Sequence, residues 1–420
     1  MGVSKTELKN GLLVASETMT HLRSVSIGVW VRGGSRFEGD DLTGISHFIE
    51  HMLFKGTRKR SASDIAKEID SVGGQLNAFT DKEYVGFYAK VRDRHIGFAF
   101  NLLADIVLNP TFPARELQRE RNVIFEEINM VEDTPQELIQ DLFMEGFWKG
   151  HPLGRPISGT KGSVARISRA DVVKFFKGNY TACNTLVSVA GNASHRQVER
   201  LVARYFSDLE QGIRVNPGTA PAPHPSHVVR HKRNLEQTHL CLGAPCPPMG
   251  AKERYGTYVL NNVLGGGMSS RLFQNIREKR GLVYNIYSTP NLYLDAGNLL
   301  VYAGAAPEKA PEVVELTLRE LRRLREQMIP SDELTRAKEN LKGSVLLSLE
   351  SSSSRMTNLA QQLIYFGRFY SPEEIVAGFD KVRARDVRAL ANDAFDPSLL
   401  SLTALTSKNG RALESIDIRA

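Results

Sequence analysis

Ile167-Ser-Arg-Ala-Asp171-Val172, then Tyr180, then the strand-like run Thr185-Leu-Val-Ser-Val-Ala190, return later in the chain in recognisable form. The second occurrence is Val382-Arg-Ala-Arg-Asp386-Val387, then Phe395, then Leu400-Ser-Leu-Thr-Ala404-Leu405. The offset is constant, since 386 − 171 and 395 − 180 both equal 215. The same shift carries Ser24-Val-Ser-Ile-Gly28 onto His239-Leu-Cys-Leu-Gly243. Agreement near both ends of so long a unit marks an internal duplication rather than chance similarity. Between the copies, residues 215–225 hold four prolines, a composition suited to an extended linker. The expected organisation is an N-terminal domain over 1–213, a linker over 214–230 and a homologous C-terminal domain over 231–420.

Each copy reads as α+β. Apolar and polar residues alternate over 25–31 and 84–91, which predicts strands with one buried face. Residues 75–79 precede the second of these across the polar turn Thr80-Asp-Lys-Glu83, so a hairpin is expected. Helical periodicity covers roughly 44–55, 62–72, 95–108, 114–131 and 134–147, with counterparts in the second copy. Two similar α/β-sandwich domains follow.

Bulk properties exclude several other classes. With 420 residues, 41% of them hydrophobic, the chain can build two to three cored domains. It has no apolar run of membrane-spanning length, and its first residues lack the apolar stretch of a secretory signal. Cys183, Cys241 and Cys246 are too few for a disulfide framework and lack zinc-ligand spacing, so a reducing cytoplasm is the expected setting. The net charge of +7 comes from 54 basic and 47 acidic residues that are scattered along the chain. No basic and aromatic residues interleave as base stacking requires, so no nucleic-acid partner is expected.

The chemistry concentrates in His47-Phe-Ile-Glu50-His51. Residues four apart on a helix share a face, so His47 and His51 can bind one ion from adjacent turns. Either histidine alone would read as an ordinary core or surface residue. A catalytic zinc site usually takes three protein ligands plus a water, which calls for an inward-facing acid elsewhere. In the helical stretch 114–131, Glu120 and Glu127 lie seven apart, in a stripe with Val123 and Met130 flanked by Ile124 and Ile128. Glu126 falls in line with Arg119, Asn122 and Asn129, a polar face. Helix geometry thus favours Glu127 as third ligand, with Glu120 behind it as an electrostatic partner. Glu50, beside His51, is the expected general base, taking a proton from water and passing it to the departing amine. Shifting the motif by 215 lands on Asn262-Val-Leu-Gly-Gly266, which holds no metal ligand. One Zn2+ per chain is expected, in the first copy alone.

These residues resemble a known family. His47-Phe-Ile-Glu-His51-Met-Leu-Phe-Lys-Gly-Thr57 is similar to the signature of the inverzincin peptidases, among them pitrilysin, insulysin and the mitochondrial processing peptidase. Gly73-Gly-Gln-Leu-Asn77-Ala78-Phe79-Thr80 resembles that family's substrate-binding edge strand, and Glu120 and Glu127 match its glutamate pair, the latter being the zinc ligand. Asp133-Thr-Pro135 and Gly150-His151-Pro-Leu-Gly-Arg155 also look family-like. Leu264-Gly-Gly-Gly-Met-Ser-Ser-Arg271 most resembles the β-type subunit of processing peptidases and its short bacterial homologues. Tyr84-Val85-Gly86 departs from the pattern, standing where a threonine is often found.

The resemblance implies a zinc metalloendopeptidase that cuts short or unfolded peptides held extended along Asn77, Ala78 and Phe79. Arg277-Glu-Lys-Arg-Gly281-Leu-Val-Tyr284 resembles the C-terminal segment whose Arg and Tyr reach the active site. By that likeness Arg277 helps hold substrate and Tyr284 hydrogen-bonds the scissile carbonyl or oxyanion. At half the length of single-chain pitrilysin or insulysin, the chain is expected to pair as a homodimer, or as a heterodimer with a zinc-less paralogue. The alternative is a non-catalytic scaffold or partner subunit of a related peptidase complex. No membrane partner is expected.

Overall fold

Two sheets with matching strand order confirm the duplication. The computed structural model describes residues 2–407 and 411–419. Its strands are β1 (Val3–Glu7), β2 (Leu13–Thr18), β3 (Ser24–Arg32), β4 (Gln75–Thr80), β5 (Tyr84–Arg92) and β6 (Thr185–Gly191), then β7 (His227–His231), β8 (Thr238–Pro245), β9 (Val283–Leu292), β10 (Gly297–Ala305) and β11 (Ser401–Thr406). The first sheet runs β1-β2-β6-β3-β5-β4 and the second β7-β11-β8-β10-β9. Without β1 the two orders are the same, with β2–β6 and β7–β11 parallel and the other neighbours antiparallel. The fold is α+β with two domains. No helix among the described residues is long and apolar enough to cross a membrane.

The helices fall close to where periodicity places them: α1 (Ile45–Leu53), α2 (Ala62–Ser71), α3 (Ile96–Leu108), α4 (Ala114–Asp133) and α5 (Pro135–Phe147). Ser61 and Asp64 form a capping box that starts α2, and Pro135 opens α5 where its missing N–H costs nothing.

The compact units are not contiguous stretches of chain. One comprises the residues up to Met130, Arg155–Gly218 and Leu347–Phe369; the other takes Val131–Gly154, Thr219–Leu346 and the chain from Tyr370 onward. They differ from the division at 1–213 and 231–420 by two segments, each holding a helix that packs with the opposite sheet. Helix Ser352–Phe366 lies against β3, β6 and β2, while α5 lies against β11 and β8.

Burial explains the exchange. On β3, Val25, Ile27, Val29 and Val31 face the main core of the first unit. The opposite face, with Ser26, Gly28 and Trp30, is also buried, contrary to the single buried face expected from alternation. Helix Ser352–Phe366 covers it: Ser26 Oγ lies 2.9 Å from Ser352 Oγ, and Trp30 packs in a cluster with Met356, Ala360 and Leu363. Trp30 Nε1 donates to Ser188 Oγ at 2.7 Å, and Ser188 Oγ donates to the Met356 carbonyl at 2.9 Å. The second sheet repeats the device with α5, whose Ile139, Phe143 and Phe147 join Cys241, Leu300, Tyr302 and Leu405.

The paired glycines of the repeat now have a cause. A Cβ on Gly28 would overlap Met356 Sδ and also Trp30 Nε1 of its own strand, and a Cβ on Gly243 would overlap Phe143 Cζ. Each glycine makes room for a large side chain of the covering helix, Gly28 for the Trp30 ring as well, and burying such a side chain stabilises by roughly 1.5–3 kcal/mol.

Gly28→Ala should cost about 1–3 kcal/mol in urea melts, the usual range for overpacking. Adding Met356→Ala should give less than the sum of the two single losses. Strict additivity would show that this contact is not the constraint.

Candidate metal centre

Helix α1 enters the core with its first turn held by a buried acid. Gly44 adopts φ +96° at the N-cap, a left-handed conformation that favours glycine, and a Cβ there would sit 2.8 Å from the Ser158 carbonyl. The Glu38 carboxylate accepts from Gly44 N–H at 2.7 Å and from Ser46 N–H at 2.8 Å. Burial nevertheless raises the Glu38 pKa to about 7, against the lowering effect of those bonds and of Lys82. Phe48, Ile49, Met52 and Leu53 anchor the helix in the core, leaving His47, Glu50 and His51 on its partly exposed edge.

His47 Nε2 and His51 Nε2 lie 3.3 Å apart. Glu127, from α4, places Oε2 3.5 Å from His47 Nε2 and Oε1 3.5 Å from His51 Nε2. Tetrahedral zinc with bonds of about 2.0–2.2 Å sets its donor atoms about 3.4 Å apart, so this triangle fits such an ion. Among the described residues it is the one group of three or more His, Cys, Asp or Glu side chains gathered closely enough to hold a metal. Glu126 is exposed and hydrogen-bonded to Asn129 instead.

The surroundings prepare the two rings. His51 Nδ1 lies 3.1 Å from Glu120 Oε2, and Lys55 Nζ sits 2.8 Å from Glu120 Oε1. A carboxylate only accepts, so the Nδ1 facing Glu120 carries a proton, and Nε2 is the His51 atom turned to the triangle. Burial, and then the neighbouring His51, push the His47 pKa down to about 4, so this ring is neutral at pH 7. Glu50 stands apart from the triangle: its Oε2 accepts a 2.6 Å bond from the Thr80 hydroxyl. Burial raises its pKa, while Thr80 and His51 lower it and the Glu127 charge raises it. Tyr180, where the second copy has Phe395, is buried and its pKa is raised by burial and by Glu50.

Asn77, Ala78 and Phe79 lie on β4, the edge strand of the first sheet, paired on one side with β5. Phe79 packs its ring against Trp30, Tyr84 and Tyr88. Arg277 and Tyr284 belong to the second unit. Arg277 lies in a π-helical turn, Phe273–Glu278, a rare geometry often found at functional positions. Its guanidinium stands 4.5 Å from the Phe273 ring centroid and 5.6 Å from that of Tyr284, and Tyr284 is 80% exposed. The second copy has Asn262 at the position of His47, bonded to Asn340, and Lys342 at that of Glu127, paired with Glu339 and Asp380.

Sequence reasoning missed Glu38, Lys55 and Thr80. Thr80 sat in the quoted edge-strand segment as part of a polar turn, and Lys55 lies four residues beyond His51. Neither spacing nor composition pointed to Glu38.

Known proteins share this organisation. The family described as insulinase (peptidase family M16) matches residues 13–161, and the peptidase M16 inactive domain matches 166–341. An uncharacterized zinc protease of Bacillus subtilis is 39% identical over 94% of this chain and 96% of its own. One of Mycobacterium leprae is also 39% identical, over 93% and 89%. Among solved structures, a protease from Helicobacter pylori superposes with TM-score 0.89 at 24% identity, over 96% of this chain and 99% of its own. A peptidase M16 inactive domain from Pseudomonas fluorescens gives 0.91 at 21%, over 97% and 99%. At that identity the two structures speak for the fold alone.

Glu120→Ala removes the acceptor that orients His51 and should weaken zinc binding about 10–100-fold in a chelator competition. An unchanged affinity would remove Glu120 from any role behind the ligands. The raised Glu38 pKa also fixes a sign. Between about pH 4.5 and 7 the folded chain holds a proton that the unfolded chain has lost, so stability falls as pH rises through that window. Relative to Glu38→Gln, wild type should lose up to about 3 kcal/mol between pH 4.5 and 7.5 in denaturant melts. The constant offset from the altered acceptor cancels in that comparison, and a pH-independent difference would contradict the shift.

Proposed function

The chain belongs to the M16 family of metallopeptidases, and from that premise we propose that it is a zinc-dependent endopeptidase cutting short or unfolded peptides. The observation that carries the reading is the triangle of donor atoms, 3.3 to 3.5 Å on a side, beside a half-buried carboxylate that is not part of it. His47, His51 and Glu127 would hold the metal. Zinc in such a site lowers the pKa of a bound water towards neutrality and polarises a carbonyl oxygen.

The remaining work falls to the chain's own groups. Glu50, its proton affinity raised by burial, accepts the water's proton and delivers it to the leaving amine. Thr80 keeps that carboxylate in one orientation, and Glu120 with Lys55 keeps His51 in the tautomer that offers Nε2. An extended peptide adds to the free edge of β4 by main-chain hydrogen bonds near Asn77, Ala78 and Phe79, a mode that favours unfolded segments. Arg277 and Tyr284 serve substrate in this reading, Arg277 by holding it and Tyr284 by donating to the carbonyl oxygen as charge develops there. Assembly as a homodimer, or with a zinc-less paralogue, belongs to the same proposal.

Glu50→Gln should keep one zinc per chain by metal analysis and lose at least about 10²-fold in peptide cleavage. Turnover equal to wild type in the zinc-loaded variant would sink the mechanism. Absence of both zinc and cleavage in wild type would favour a scaffold or partner-subunit role.

A further inference from the structure

Thr80 can steady Glu50 only if the end of β4 is held at a fixed distance from α1, and one short segment of the chain, residues 33–38, is bonded to both. Gly33 N–H donates to the Glu83 carbonyl at 3.4 Å, Ser35 N–H to the Asp81 carbonyl at 3.1 Å and Arg36 N–H to the Lys82 carbonyl at 2.7 Å. The segment therefore runs along the turn that follows Thr80. A Cβ on Gly34 would stand 2.1 Å from the Asp81 carbonyl oxygen, so glycine alone permits this approach. At the far end of the segment, Glu38 accepts from Gly44 and Ser46 at the start of α1.

Between these two attachments lies a buried ion pair. Arg36 Nη1 donates to Glu83 Oε1 at 2.7 Å, and the two side chains are 0% and 1% exposed. Taking two charges out of water costs about as much as their attraction returns, so a well-packed apolar pair would serve stability as well. What an apolar pair does not supply is direction. A charge-assisted hydrogen bond fixes its two groups in angle as well as in distance. Here it ties the segment that caps α1 to the last residue of the turn.

We propose that Arg36 and Glu83 are positioning residues for the proton transfer: their ion pair locks the turn after β4 to the segment that caps α1, and so sets the Thr80 hydroxyl 2.6 Å from the Glu50 carboxylate. The proposal rests on the peptidase reading and adds to it a pair that acts through Thr80. A displacement of about 1 Å at a reacting group costs up to about 100-fold in rate, so a small slip of the turn is enough to be measured.

The test is a double-mutant cycle in kcat, measured on a peptide that zinc-loaded wild type is found to cut. The pair variant, Arg36→Met with Glu83→Leu, replaces both charges with apolar groups and should keep one zinc per chain and the urea midpoint of wild type. Its kcat should fall about tenfold or more while KM stays within about threefold. Thr80→Val should show a fall of the same order, and removing the pair from Thr80→Val should lower kcat by less than about twofold further. If the pair variant loses zinc or stability, Arg36→Lys, which keeps the charge and loses the planar fork, carries the same cycle. Equal losses in both backgrounds, a loss confined to KM, or wild-type kcat in the pair variant or in Thr80→Val would overturn the positioning role while leaving the peptidase reading intact. No cleavage at all by zinc-loaded wild type would overturn both.

Discussion

Helix α1 has to carry three polar side chains along one edge while the rest of it is buried in an apolar core, and most of the site depends on how its start is held. Six of its nine residues are buried, so its orientation is set by packing against β4 and the helix Arg169–Asn179. The cost falls at its N-terminus, where backbone N–H groups must be satisfied away from water. Glu38 meets that need through Gly44 and Ser46, and Gly44 supplies a backbone turn closed to other residues by the nearby Ser158 carbonyl. With the first turn fixed, His47 and His51 are presented one turn apart, and α4 needs only the correct face to bring Glu127 to both.

The same economy of faces governs the two sheets. A central strand buried on both sides must be covered twice, and each sheet receives its second cover from a helix of the other half of the chain. Ser26 meets Ser352, Arg355 pairs with Glu17, and Met356 and Phe143 occupy the space that Gly28 and Gly243 leave open. Neither half contains all the parts of its own core, which ties the metal-bearing copy to the continued presence of the other.

Divergence of the copies follows from the chemistry each retains. The first keeps two imidazoles and a carboxylate close together, an arrangement suited to a cation. At the matching positions the second has the amide of Asn262 and the ammonium of Lys342, both satisfied by neighbours within their own unit. Its Phe395 also lacks the buried hydroxyl that Tyr180 sets near Glu50. Copies with one backbone plan have thus come to differ where charge is concentrated and agree where volume is.

The elements were legible in the sequence because they are local. Helix faces, the β4–β5 hairpin, the placement of Glu127 over Glu126 and the 215-residue repeat follow from periods of 3.6 and 2 and from self-similarity. The residues that hold the site in place were not legible. Glu38 lies nine residues before His47 and Thr80 thirty beyond Glu50, and no periodicity links either to α1. The second buried face of β3 was hidden as well, because Ser26 and Gly28 look like solvent-facing residues until the helix that covers them is known. By itself the sequence determined which side chains could share a face, and so which atoms could bind a metal. Only the tertiary structure decided which buried carboxylate caps α1, which hydroxyl steadies Glu50 and which helix covers each sheet. Those choices depend on burial and on contacts between segments far apart in the chain.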